Sequence, residues 1–525
     1  MKTLPLPAIA GATLLALLTL AACGGGNDKT ADSPAPAAPA ATAPVRGSLV
    51  QDPPQMLATV TAGDLKLQLA AAADQTLFGL SGSPVCDIAI FHLSYNTVGG
   101  RNEATTASAA LMVPMGTDAR CRGGRPIVLY AHGTTTNKSF DIADLSGSDN
   151  AEGLLLAALF AAQGTIVVAP NYAGYDTSTL GYTAYLNADQ QSKDMIDALA
   201  AARTALPSAG QRLTTDGGRL FITGYSQGGY VAMATQRAMQ AAGMTVTAAA
   251  PMSGPYALSA FVDAVFGGQV NGGAPVYFTL LIAGYQKSYG DVYGSPAEVF
   301  ETQYANGIES LLPTTVSRSE LYALGRLPQY ALFSPIPPDA GSAAQTPATQ
   351  PAALARVFAV GFGSGNLITN AFRLSYLQDA RSAPDGGWPT QTNGLVAANP
   401  QLPLRKALVR NDLRNWSPTA PTLLCGGSGD PQVFWFNTQL MQNYWSTRTP
   451  AVSGVTVLDM DAGTGVSDSY SSLRDKFATA RNAVAIGAIA QGATDGGASA
   501  VLEAYHSTLV PPFCLAAARQ FFDAQ

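Results

Sequence analysis

The chain has 525 residues, of which 47% are hydrophobic and 12% charged, with 53 glycines and a formal net charge of −6. A chain this apolar can bury a large core, which excludes wholesale disorder. Its 29 basic residues are scattered and leave no electrostatic footprint for nucleic acid.

In chain order the first element is a leader. Met1-Lys2 is followed by an apolar stretch over 4–20, and then by Leu20-Ala21-Ala22-Cys23 and three glycines. The stretch is shorter than the ~20 residues of a spanning helix and ends in small residues, as an export signal does. Small residues directly before a cysteine resemble a bacterial lipobox, which implies cleavage before Cys23 and attachment to a membrane through acylation of that residue. Gly24, where an aspartate would retain the protein, resembles the sorting pattern of outer-membrane lipoproteins. The expected location is therefore the outer membrane of a Gram-negative bacterium, on its periplasmic or its surface face. From Gly24 to Ser48 the chain is largely Ala, Pro, Thr, Gly and Asp, too poor in large apolar residues to fold. This divides the start into a signal over 1–22, then an acylated cysteine and flexible tether over 23–55.

Four cysteines remain, an even number suited to an oxidising compartment. Cys86 opens one strand-like segment (86–95) and Cys121 follows the next (106–114), so in an antiparallel hairpin the two meet. Cys425 and Cys514 are left to pair, tying a late strand to the last helix.

From 56 onward, short apolar runs alternate with helix-like stretches, the pattern of a mostly parallel sheet flanked by helices. Strands are expected at 127–130, 165–169, 220–223, 245–250, 422–424 and 455–458, and helices at 151–162, 192–206 and 230–241. Between Met252 and about 418 the spacing breaks, far beyond an ordinary βα connection. The break marks a mainly helical cap over 255–415, inserted after the sixth strand, with helical segments at 261–266, 277–289, 297–312, 319–325 and 366–380 and a low-complexity loop at 335–351. The parts 56–254 and 416–525 then form one α/β catalytic domain.

Gly224-Tyr225-Ser226-Gln227-Gly228 stands between a strand and a helix rich in small residues. A serine in so sharp a turn presents its hydroxyl above the sheet edge. It still needs an imidazole to take its proton and a carboxylate to orient that imidazole. Of the three histidines, His92 lies in the early hairpin and His132 directly after a strand. Only His506 follows Ser226, in a loop before the final helix, and this fits the order serine, acid, histidine. The acid should follow a strand between the two, which selects Asp430, with Asp459 and Asp461 one strand later as rivals. A Cys425–Cys514 bond would set the Asp430 loop beside His506. An oxyanion needs two preorganised N–H donors. Gln227 supplies one, and Ala131-His132-Gly133-Thr134 places the other at Thr134, with Gly133 next; His132 then fixes the loop.

With these residues in place the chain resembles the α/β-hydrolases and, among them, the secretory lipases typified by fungal lipase A. The resemblance rests on His132-Gly133-Thr134, on Gly224 to Gly229, on Pro251-Met252-Ser253-Gly254-Pro255 opening the insertion, and on Asp430 and His506. The chain departs from the group after Asp430, where Pro431-Gln432 replaces a frequent valine-proline. The resemblance implies hydrolysis of carboxylic esters through an acyl-serine, with neither metal nor cofactor. Within that class an esterase or lipase leads. A surface-tethered polyester or oligoester depolymerase, a peptidase of similar fold and a catalytically silent binding lipoprotein are the alternatives. Neither acyl-chain preference nor oligomeric state is encoded in any motif.

Overall fold

The structure is a computed structural model that describes residues 44–525 apart from 72–75, 147–149, 211–212, 449–451 and 464. The expected signal, Cys23 and the tether as far as 43 lie outside the described residues. Nine strands form one sheet: β1 (Gln55–Val60), β2 (Asp87–Val98), β3 (Ala104–Met115), β4 (Gly123–Ala131), β5 (Ile166–Pro170), β6 (Thr214–Tyr225), β7 (Ala248–Met252), β8 (Thr422–Gly426) and β9 (Val455–Asp459). Their order across the sheet is β1-β2-β3-β5-β4-β6-β7-β8-β9. The first three pairings are antiparallel, and all those from β5 to β9 are parallel.

The parallel strands read as continuous apolar runs because helices cover both faces. On β4 the side chains alternate between two cores. Ile127, Leu129 and Ala131 pack on one side with the helices Ala188–Ala209 and Gln227–Ala241. Val128 and Tyr130 pack on the other with Ala151–Leu159 and Val510–Asp523. This period-two split is what holds the strand ends, and hence the loops beyond them, in fixed register. Among the described residues no helix is long and apolar enough to cross a membrane.

Three sequence expectations are corrected. The segment 44–54, assigned to the tether on composition, lies along the edge of β2: Gly47 N–H bonds to Asn96 O (2.8 Å), Val50 N–H to Ser94 O (2.8 Å), and Arg46 pairs with Asp197 at 2.9 Å. An open strand edge offers backbone partners that need no apolar side chains. Because β1 adds a strand at this edge, the insertion follows the seventh strand rather than the sixth. Within the insertion, 297–312 is no single helix but three short turns, Pro296–Glu298, Thr302–Ala305 and Ile308–Ser310, broken at Gly307 (φ +76°).

The insertion's long helices are Leu258–Phe266, Ala274–Tyr289, Asn370–Ser382 and Pro403–Asn411. Its core contains charge. Arg405 pairs with Asp263 at 2.8 Å and Arg414 with Asp385 (2.7 Å) and Asp412 (2.8 Å), every side chain being 0–1% exposed. Tyr230 of the helix after β6 donates to Asn411 O at 2.7 Å, joining insertion and sheet.

Candidate active site

Ser226 sits between the last residue of β6 and the first of the helix Gln227–Ala241, with φ +61° and ψ −122°. A serine rarely adopts this conformation, and packing around the turn enforces it. A Cβ on Gly228 would lie 1.9 Å from Ala131 O, and one on Gly224 would lie 2.4 Å from Gly228 O. The helix and β4 can approach only because both positions are glycine.

His506 meets this serine, its Nε2 2.8 Å from Ser226 Oγ. It does not lie in a loop as expected. It belongs to a single wide π-turn, Tyr505–Leu509, that runs into the last helix. Pro511 and Pro512 cannot donate the N–H bonds of regular α-turns, and insertions of this kind recur at functional sites. On its other side His506 Nδ1 is 2.6 Å from Asp430 Oδ2. The second carboxylate oxygen, Oδ1, accepts from the N–H groups of Gln432 (2.8 Å) and Val433 (3.0 Å), and Asp430 is 1% exposed. The carboxylate therefore has one free direction, toward the imidazole.

The rival acids do something else. Asp459 Oδ1 accepts from Ser428 N–H and Asp461 Oδ2 from Gly429 N–H, each at 2.9 Å. Asp461 also accepts from Tyr505 OH and pairs with Arg481. Both brace the backbone of the acid loop from β9, and Asp461 ties it to the residue before His506. Disulfides join Cys86 to Cys121 and Cys425 to Cys514, the latter linking β8 to the last helix.

The loop after β4 carries the second oxyanion candidate. Gly133 N–H is committed to the Glu152 carboxylate (3.0 and 3.1 Å), which removes Gly133 from the candidates. Thr134 lines the same pocket as Ser226, Gln227 and His506, with its Oγ1 2.9 Å from Tyr185 OH. Gln227 is the first residue of its helix, so its N–H has no intrahelical partner. His132 is buried, with Nδ1 2.6 Å from Gly133 O and Nε2 3.2 Å from Asn171 O, and its ring stacks on Tyr172. Burial holds its pKa down to about 4, so it is neutral at pH 7 and serves to fix the loop.

Glu152 escaped the sequence reading. An acidic residue in the first turn of a helix looks like a partner for the helix dipole. Here it also accepts from Tyr130 OH at 2.6 Å, so one carboxylate pins both the end of β4 and the loop beyond it. Burial raises its pKa, while its hydrogen bonds and attraction to His506 oppose that rise.

His92 lies away from this cluster and pairs with Asp176 at 2.7 Å. His92, Asp141 and Asp176 are the group among the described residues that could hold a metal ion, with ligand atoms within 4.8 Å of one another. In this structure they are joined to Ser108 and Asn171 by hydrogen bonds of 2.6 and 3.0 Å.

The pocket at Ser226 is apolar. Leu186, Leu258, Phe261, Val262, Phe278 and Leu281 form much of its wall, and all but Leu186 come from the insertion. The sheet thus supplies the reactive groups and the insertion the surface that meets substrate.

Comparison with known proteins agrees with this geometry. Residues 155–269, which contain the serine turn, match the prolyl oligopeptidase family model. No curated protein sequence matches the chain. Among solved structures, the rice cell wall degrading esterase LipA from Xanthomonas oryzae is similar over 92% of this chain and 100% of its own, at 25% identity and a TM-score of 0.65. A putative hydrolase from Legionella pneumophila covers 89% of this chain and 96% of its own at 16% identity and a TM-score of 0.58, a likeness of fold. Lipase A from Candida antarctica, at 14% identity over 79% of this chain and 77% of its own with a TM-score of 0.42, is too remote to place the chain beside it. The chain has the α/β-hydrolase fold and carries the machinery of a serine hydrolase.

Proposed function

We propose that the protein hydrolyses carboxylic esters through an acyl-serine intermediate. The observation that carries this is the continuous chain Ser226 Oγ, His506 Nε2, His506 Nδ1 and Asp430 Oδ2, with links of 2.8 and 2.6 Å, opening on an apolar pocket. Ser226 attacks the ester carbonyl as His506 takes its proton, and the imidazolium is stabilised by Asp430. The N–H groups of Gln227 and Thr134 receive the oxyanion. His506 returns the proton to the leaving alcohol, then activates water, which releases the acid and regenerates Ser226.

The apolar wall favours an ester whose acyl part is hydrophobic, and the similarity to a cell wall degrading esterase supports ester over amide. The match to a peptidase family over 155–269 gives the second reading, cleavage of peptides. A rate series over aryl esters of rising chain length, tributyrin, a soluble polyester oligomer and matched peptide anilides separates the two. Faster turnover of the anilides would overturn the ester assignment. The leader ending in Cys23 and two disulfides support an exported enzyme held to the outer membrane by its acylated N-terminus. Metabolic labelling with a radioactive fatty acid, lost in Cys23→Ser, tests that attachment.

A further inference from the structure

Toward the end of the sheet opposite the catalytic loops a cavity of about 260 Å³ opens between β4, the middle of β6 and the last helix, and four arginines, Arg120, Arg125, Arg219 and Arg519, line it together with Asp523. The chain has only 29 basic residues in 525, so four around one cavity is a concentration that their scatter in sequence conceals. The cavity also has an apolar side, where Phe221 and Phe522 stack at 4.5 Å and the Arg219 guanidinium lies 5.9 Å from the Phe221 ring.

The charges there do not cancel. Arg120 is paired with Asp118 at 3.1 Å, and Arg519 lies 3.7 Å from Asp523. Among the described residues neither Arg125 nor Arg219 has a carboxylate within ion-pair distance. Arg125 and Arg519 are nonetheless held in place, the first by Nε–H to Gly164 O (2.6 Å) and the second by an Nη–H to Ser81 O (2.8 Å). Burial, and then the charges of Arg219 and Arg120, draw the pKa of Arg125 down against the opposing charge of Asp118. Arg125, anchored, and Arg219, exposed on β6, are two neighbouring cations without an ion-pair partner, an arrangement that suits a dianion, and the planar guanidinium fork matches phosphate oxygens in pairs.

We propose that this cavity binds a phosphate group between Arg125 and Arg219, with Arg120 and Arg519 beside it. The group arrives either on a soluble molecule or as the headgroup of an anionic lipid. Arg219 precedes Ser226 by seven positions, roughly 20 Å of strand. The ligand therefore touches neither the nucleophile nor its pocket, and a headgroup held here turns the catalytic loops away from the lipid.

The test uses the full chain carrying Cys23→Ser, so that no acyl anchor contributes, with calorimetric titration of inorganic phosphate and flotation on phosphatidylcholine vesicles with and without phosphatidic acid. Arg219→Gln removes an exposed side chain that has no polar partner to strand, so folding is not at stake. It should weaken binding roughly tenfold, and the Arg125→Gln/Arg219→Gln pair should abolish it, with ester hydrolysis unchanged in both. Phosphate binding without a phosphatidic acid effect identifies a soluble ligand; a phosphatidic acid effect lost in the double variant identifies a headgroup. Absence of both, or binding that survives the double substitution, overturns the proposal.

Discussion

The catalytic end of the sheet and the insertion between β7 and β8 are both buried, yet different forces hold them. At the catalytic end the backbone does the positioning: a strained serine, two glycines that admit close approach, and carboxylates fixed by N–H groups. In the insertion side chains do it, through Arg405 and Arg414 paired without solvent and Arg373 set 4.6 Å from the Phe333 ring. The difference separates chemistry from stability. Changes at the first region should silence the enzyme without unfolding it, while changes at the second should unfold it and remove activity only as a consequence.

The largest effect expected is at Ser226. Ser226→Ala should lower kcat on the order of a million-fold and Asp430→Asn about ten-thousand-fold, with urea midpoints close to wild type. A large loss of stability in either variant would break the separation.

Arg414→Ala leaves Asp385 and Asp412 buried and unpaired, and should cost about 3–5 kcal/mol by urea denaturation. In the fraction that stays folded, kcat should hold.

His132 sharpens the comparison through pH. Its imidazole has a pKa of about 4 in the folded chain against 6.5 unfolded, so the unfolded state takes up a proton first as pH falls. Stability is complete above 6.5 and is lost toward 4, by about 3 kcal/mol in all. Comparing urea unfolding at both ends of this window, His132→Asn should flatten this part of the profile.

The smallest effect concerns the disulfides, which close loops of 35 and 89 residues. Chain entropy makes Cys425–Cys514 worth about 0.8 kcal/mol more than Cys86–Cys121. Thermal melts of the two double-serine variants give that difference. Only loss of the first-named bond should also depress kcat, because it joins β8, which leads into the acid loop, to the helix that follows His506.

What could be read from sequence follows the same division. Ser226, His506 and Asp430 were legible because the nucleophile turn has a fixed pattern, one histidine follows it, and a glycine-rich loop after an apolar run carries one well-placed aspartate. The parallel strands were legible because burial on both faces leaves a continuous apolar run. Glu152 was not, since its role depends on a loop 19 positions earlier that only the sheet brings near. The insertion's ion pairs were not, because Asp263 and Arg405 are 142 positions apart and each alone reads as a solvated charge. The arrangement of 44–54 was hidden because backbone hydrogen bonds to a strand edge leave no mark on composition.

The central claim is that Ser226 is the nucleophile, activated by His506 and Asp430. Treating the protein with a fluorophosphonate and mapping the adduct by mass spectrometry tests it directly. The account predicts one labelled residue, Ser226, and no label in Ser226→Ala. An adduct on another residue, or ester hydrolysis that persists in Ser226→Ala, would contradict it.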